Sequence, residues 1–263
     1  MITIILVVYK TKVNQLRYIL KNISSKYKVI IIDNSENYDF SKFKITNNIK
    51  IVRSKNIGNG AAQNKGFKLC KTEKALCMDT DVILPKNFIE KMINKSKHIK
   101  NFSILIPNHG NIKNKSRFVE KYSGEASVML FNLKKYKNKK IFDENFFLYF
   151  EEVDLFFQCK KKKLKVFFIP DIKIKHLRAN SIDQNNLHIK NLRAWHYMWS
   201  MFFYLKKNYN FYETFKKTTP LILKDVVMMG IYLFLIDKNK FLIRFYRLYG
   251  IMSSIIGLKS FLR

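Results

Sequence analysis

Asp79 and Asp81, in the stretch Cys77-Met78-Asp79-Thr80-Asp81-Val82-Ile83-Leu84-Pro85, close an apolar run in a chain with 50 Lys+Arg against 19 Asp+Glu. Alternate residues at a strand end can direct two carboxylates toward one pocket, or one of them toward a cation. Hard oxygen ligands suit Mg2+ or Mn2+, ions that neutralise a diphosphate. A second acid-rich stretch, FDENFFLYFEEVDLFFQC at 142–159, crowds Glu151, Glu152 and Asp154 into four residues among Phe and Tyr. Repulsion and partial burial predict that at least one of these carboxyls holds its proton unusually tightly, as a general base requires. The competing reading is an acid-rich helix start favoured by the macrodipole. His176, after IKIK, is one of five histidines.

These groups need a scaffold, and residues 1–107 supply its pattern. Apolar runs at 2–8, 28–32, 49–52, 74–78 and 103–106 alternate with segments of helical spacing, such as Val13-Leu16-Ile19-Leu20-Ile23 and Phe88-Ile89-Met92-Ile93. Short β-rich runs separated by helices predict a mostly parallel sheet with right-handed crossovers. Ligands of such sheets bind beyond the carboxyl ends of the strands. Asp33 ends KVIIID and the Asp79/Asp81 pair follows KALCM, so the acids stand at that edge. The stretch RSKNIGNGAAQNKGF at 53–67 holds three of the eight glycines. Gly58 and Gly60 permit close backbone approach, and Ala61 and Ala62 begin a helix whose N-terminus can face an anion. Its spacing is neither G-x-G-x-x-G nor a P-loop, which argues against a dinucleotide site and a Walker-type kinase.

The polar stretch 108–124 reads as a mobile loop, 125–131 and 165–170 as strands, and 172–176 as an extended segment. From about 188 the chain turns helical, aromatic and basic, so the expected division is a domain over 1–187 and a helical, amphipathic extension over 188–263. Its uncharged runs, such as the 11 residues at 226–236, fall well short of the roughly 20 that a membrane span needs. An amphipathic helix in the headgroup region is the alternative to simple packing. The net charge of +31 suits a polyanion or an anionic membrane, or reflects biased composition. No helix-turn-helix, zinc-finger or RNP signature supports nucleic-acid binding. Cys70, Cys77 and Cys159 lack metal spacing and fit a reducing compartment. The seven-residue apolar start, with no basic segment before it, reads as a buried strand rather than a signal peptide.

Taken in order, Asp33, NIGNGAAQNKGF, MDTDVILP and FDENFFLYFEEVDL…IPDIKIKH resemble the inverting family 2 glycosyltransferases of GT-A fold, particularly the rhamnosyltransferase-like branch that builds bacterial surface polysaccharides. The resemblance covers residues 2 to about 180. It implies a GT-A (nucleotide-diphospho-sugar transferase) fold and transfer of a sugar from a nucleotide-diphosphate donor to a glycan or polyprenyl-linked acceptor. Val8, Tyr9 and Asp33 would hold base and ribose, and Asn56, Gly58 and Asn64 would line the donor pocket. Asp79 would contact sugar or ribose, while Asp81 and His176 would bind Mg2+ or Mn2+. Glu152, with Glu151 beside it, stands at the catalytic base, and Asp154 caps or buttresses that helix. Lys10, Gln158 and Lys163 depart from the family pattern, Lys163 standing where Gly is usual. The implied place of work is cytoplasmic, at the inner face of the bacterial membrane, with the basic extension against anionic lipid. A sugar-phosphate nucleotidyltransferase is the first alternative, but VVYKTKVNQL lacks the Gly-rich loop it would need after the first strand. A basic nucleic-acid-binding protein is the second.

Overall fold

The computed structural model describes residues 1–110, 118–177, 186–260 and 262. The chain divides into two compact units, Met1–Asp143 with Leu155–Ile182 and Glu144–Asp154 with Asp183–Arg263. The stretch Glu144–Asp154, which the sequence reading kept with the first domain, therefore groups with the C-terminal helices.

The first unit is built on an eight-stranded sheet. Its strands are β1 (Ile2–Val8), β2 (Lys28–Asp33), β3 (Ile49–Arg53), β4 (Lys74–Met78), β6 (Phe102–Asn108), β7 (Val119–Glu120), β8 (Val128–Asn132) and β9 (Lys165–Lys173), in the order β3-β2-β1-β4-β8-β6-β9-β7. The first four strands pair in parallel, and β6 and β9 pair in parallel. β8 lies between β4 and β6, antiparallel to both. It starts at Val128 rather than 125 because β4 ends at Met78, opposite Val128. A two-stranded ribbon joins β5 (Val82–Ile83) to β10 (Lys175–His176). Of the polar stretch 108–124, residues 111–117 lie outside the described residues, and Val119–Glu120 forms β7.

Alternation along β1 shows why its sequence is apolar at every position but Thr3. Ile4 and Leu6 pack with Leu16 and Ile19 of α1 (Val13–Lys21) and Ile89 and Met92 of α3 (Phe88–His98). Ile5 packs on the other side with Phe67 of α2 (Asn59–Leu69) and with Leu155 and Phe156 of α4 (Glu151–Lys161). A sheet covered on both faces needs apolar residues at every position. Gly66 is required for this approach, since a Cβ there would stand 2.6 Å from Ile5 Cγ2. The helix α2 begins at Asn59, two residues before the expected Ala61, because Gly58 serves as its N-cap at φ 87°.

The second unit packs α5 (Leu187–Asn208), α6 (Phe211–Phe234) and α7 (Lys238–Ile255). Trp195, Met198, Trp199 and Phe202 of α5 are buried. Close approach of α5 and α7 depends on Gly250, where a Cβ would meet the Trp195 carbonyl oxygen at 2.3 Å.

The departure at Lys163 has a structural consequence. Leu164 N–H donates to the Cys159 carbonyl at 2.8 Å and Lys163 N–H to that of Lys160 at 3.2 Å, closing α4 with Lys163 at φ 56°. This is the left-handed helix end that glycine fits without strain. Lys163→Gly should therefore raise stability by about 1 kcal/mol, read as a higher urea midpoint at unchanged slope.

Candidate metal and donor site

Pairing of β5 with β10 sets His176 opposite Val82, the residue after Asp81. Leu177 N–H donates to the Asp81 carbonyl at 2.9 Å and extends the ribbon by one bond. The side chains follow from that register: His176 Nε2 lies 3.1 Å from Asp81 Oδ1 and 3.9 Å from Asp79 Oδ2. One ligand atom from each of Asp79, Asp81 and His176 falls within 4.8 Å of the others. Asp81 is buried, whereas the Asp79 side chain is 36% exposed, leaving one side of the group open. Two carboxylate oxygens and an imidazole nitrogen fit a divalent cation such as Mn2+ or Mg2+.

A residue that the sequence reading missed completes this group. Glu125 Oε1 lies 2.5 Å from His176 Nδ1. A carboxylate at Nδ1 fixes the imidazole so that Nε2 faces the two aspartates, the arrangement that orients metal-binding histidines in proteins generally. Glu125 precedes β8 and lies 51 residues from His176 in sequence. No local pattern links the two; the only available signal was an acid at the mouth of a strand-like run.

Hydrogen bonds join the carboxyl-end loops of β1, β2 and β4 into one rim. Thr80 Oγ1 meets Thr11 Oγ1 at 3.2 Å, Lys10 N–H donates to Ser35 Oγ at 2.8 Å, and Asn34 N–H donates to the Val8 carbonyl at 2.8 Å. Asn34, also missed, clips this rim to the glycine loop. Its amide donates to Asn56 Oδ1 at 3.0 Å and accepts from Ile57 N–H at 3.1 Å. The Asn56 oxygen also accepts from Gly58 N–H at 3.3 Å. Val8 is buried beneath the rim and Tyr9 is half-buried on it.

Two residues expected at the donor also brace the chain. The fully buried Asp33 carboxylate accepts from Ser35 N–H at 3.0 Å, Tyr38 N–H at 3.1 Å and Arg53 Nη1 at 2.6 Å. Asn64, equally buried, accepts from Ile141 and Phe142 N–H at 2.9 and 3.0 Å and donates to the Phe142 carbonyl at 2.9 Å. That amide is engaged by backbone on both sides, so bracing is what the structure assigns to Asn64.

The acidic cluster belongs, through residues 144–154, to the second unit. Tyr149 and Phe150 stand consecutively at φ 68° and 65°, a costly conformation for bulky side chains. The backbone thus turns sharply into α4, whose first turn carries Glu151, Glu152 and Asp154. Burial raises the Glu152 carboxyl above its ordinary value, against a smaller opposing backbone hydrogen bond. The expected tighter proton follows chiefly from burial. Glu151 is buried and Glu152 half-buried. Asp154 buttresses rather than caps: it accepts from Lys207 Nζ at 2.6 Å and Asn208 Nδ2 at 2.9 Å, near the end of α5. The rings that precede α4 pack on α5, with Phe147 4.9 Å from His196, Tyr149 5.7 Å from Tyr197 and Phe150 5.4 Å from Tyr197 between ring centroids.

A mostly parallel sheet covered by helices on both faces, with an Asp-x-Asp group beyond β4, defines a transferase of the GT-A class. Residues 3–160 match the model of Glycosyl transferase family 2, and the chain belongs to that family. The match ends before His176. Among solved structures, a mannosyltransferase from Pyrobaculum calidifontis, in complex with GDP-Man and Mn2+, superposes with a TM-score of 0.55. That likeness spans 97% of this chain and 86% of the other at 11% identity, and it shows the fold. No curated protein sequence matches the chain.

The cluster predicts a pH signature in chelator. Burial pulls the His176 pKa down, but hydrogen bonds to Asp81 and Glu125 and the charges of Asp81 and Asp79 outweigh it, lifting it from 6.5 to about 9. A histidine whose folded pKa is raised contributes stability that is complete below its unfolded value and lost as pH rises through the folded one. The stability difference between the native chain and His176→Asn should therefore shrink from pH 6.5 to above pH 9, by on the order of 2 kcal/mol. Urea melts of both proteins across that window measure it, and a difference constant with pH would contradict the assignment.

Proposed function

We propose that the chain transfers a sugar from a nucleotide-diphosphate donor to an acceptor hydroxyl, with inversion at the anomeric carbon. The observation that carries this reading is the Asp79, Asp81 and His176 group in a member of Glycosyl transferase family 2. Family membership favours it over the sugar-phosphate nucleotidyltransferase and nucleic-acid-binding alternatives. The GDP-Man and Mn2+ bound by the Pyrobaculum enzyme support a nucleotide-sugar donor and a divalent ion.

Asp81 and His176 hold Mn2+ or Mg2+, and Asp79 adds a ligand or contacts sugar or ribose. When bound, the cation supplies Lewis-acid neutralisation of charge on the departing diphosphate. Glu125 keeps His176 turned toward the aspartates. Glu152 takes the proton of the acceptor hydroxyl as its oxygen bonds to the anomeric carbon and the bond from that carbon to the diphosphate breaks. A carboxyl whose proton affinity is raised by burial suits that task better than an ordinary solvated one. Glu151 is the adjacent alternative. Val8, Tyr9 and the Asp33 turn receive base and ribose, and the loop of Asn56 and Gly58 receives the donor.

The acceptor is a growing glycan or a polyprenyl-linked one, in bacterial surface polysaccharide synthesis, and the resemblance to the rhamnosyltransferase-like branch favours a hexosyl donor. The chain works at the cytoplasmic face of the membrane, in peripheral contact with anionic lipid through its basic C-terminal helices.

Glu152→Gln keeps the size of the side chain and removes its basicity. Turnover should fall by about 100-fold or more while donor affinity, read by calorimetry, is largely retained. Full turnover in that variant, with loss in Glu151→Gln instead, would transfer the role to Glu151.

A further inference from the structure

Helices α6 and α7 form a hairpin whose chemistry is reversed, with charge inside and apolar side chains outside. Asp225 is fully buried, its carboxylate oxygens accepting from Arg244 Nη1 at 2.8 Å and Arg247 Nε at 2.7 Å. Thr214, Thr218, Ser253 and Ser254 are buried as well. On the outer side of α6, Leu223, Val227, Ile231 and Phe234 are all exposed, at i, i+4, i+8 and i+11. Phe245, Tyr249, Met252 and Ile256 repeat the pattern along α7 and its C-cap. A water-soluble helix pair places these classes the other way round. Exposed apolar stripes of this kind mark a binding surface.

The connection sharpens the case. Phe234 is 87% exposed and Ile236 89%, and Ile236 sits at φ 56°, a conformation that β-branched residues strongly resist. That conformation closes α6 as a left-handed helix end, with Asp237 N–H donating to the Tyr232 carbonyl at 2.9 Å and Ile236 N–H to that of Leu233 at 3.1 Å. Glycine fits such a position without strain; here it presents an isoleucine to water. Next to the tip stand exposed Lys238 and Lys240, with exposed Lys224 ten residues back along α6. Residues 211–260 carry eight Lys and Arg against three acids. Of those acids, Asp225 is buried under two arginines and Asp237 caps α7 while pairing with Lys240. The rim of the apolar face is therefore cationic.

That charge selects the occupant. A second copy would set like charges against one another, whereas an anionic lipid surface offers apolar depth and phosphate in the right order. No helix among the described residues is long and apolar enough to cross a membrane, so the fit is to the interface. We infer that the α6–α7 hairpin docks on anionic lipid, with residues 234–236 below the phosphates and Lys238 and Lys240 among them. This gives the peripheral contact proposed above its element; it rests on that reading and not on sugar transfer.

The test is sedimentation of the full chain with vesicles of phosphatidylcholine alone and of phosphatidylcholine mixed with phosphatidylglycerol. Binding should require the anionic lipid, weaken with salt, and fall roughly tenfold or more in Phe234→Ser/Ile236→Ser. Because both side chains are exposed, that variant should keep its melting temperature. Phe234→Trp should show a blue-shifted emission on the anionic vesicles only. If the double variant binds as tightly as the native chain, the hairpin assignment fails and the peripheral contact stands. If the native chain ignores anionic vesicles, both fail. A concentration-dependent dimer that the double variant abolishes, without vesicle binding, would make the face a self-interface and overturn the inference.

Discussion

The site rests on one backbone pairing, the two-residue ribbon of β5 and β10. It carries His176 back across 95 residues of sequence to Asp81 and fixes which way the imidazole faces. Without that register, Asp79 and Asp81 would be two acids on a turn, a common surface feature with no preference for a cation. With it, a nitrogen ligand joins two oxygens, and Glu125 locks the ring from behind. The main sheet supports the ribbon indirectly. β4 ends at Met78, the chain turns through the two aspartates, and β5 begins at Val82.

The same economy governs the rest of the rim. Loops that end parallel strands are held by side chains bonding backbone: Asp33 for the turn after β2, Asn34 for the glycine loop, Asn64 for the segment at 141–142. Buried amides and carboxylates with several backbone partners are costly to disturb, because each loss leaves a desolvated group unsatisfied. They make the loops a fixed frame on which Tyr9, Asp79 and the α2 N-terminus are presented. In the second unit, consecutive left-handed Tyr149 and Phe150 serve a comparable end by aiming the first turn of α4, which Asp154 ties to α5 through Lys207 and Asn208.

Much of this was legible in the sequence. Apolar runs bounded by acids or turns located β1 to β4 almost to the residue; β1, β2 and β4 are almost wholly buried and leave little polar alternation to misread. The Asp79/Asp81 pair and His176 stood out by type and place. Glu125 and Asn34 did not, since their importance lies in partners 51 and 22 residues away that only the folded chain supplies. Asn64 is the converse case, its amide engaged by backbone at 141–142. A family motif marks that an amide is needed there, but not whether it faces a ligand or the backbone. Lys163 was flagged as a departure, and its positive φ explains why glycine is the usual occupant.

Direct nitrogen ligation of the cation is the claim on which the account turns. Electron spin-echo spectroscopy of the chain loaded with Mn2+ reads it without any need for substrate. The account predicts a nitrogen coupling typical of a bound imidazole, present in the native chain and gone in His176→Gln. A native spectrum without that coupling, or one that persists in the variant, would contradict it.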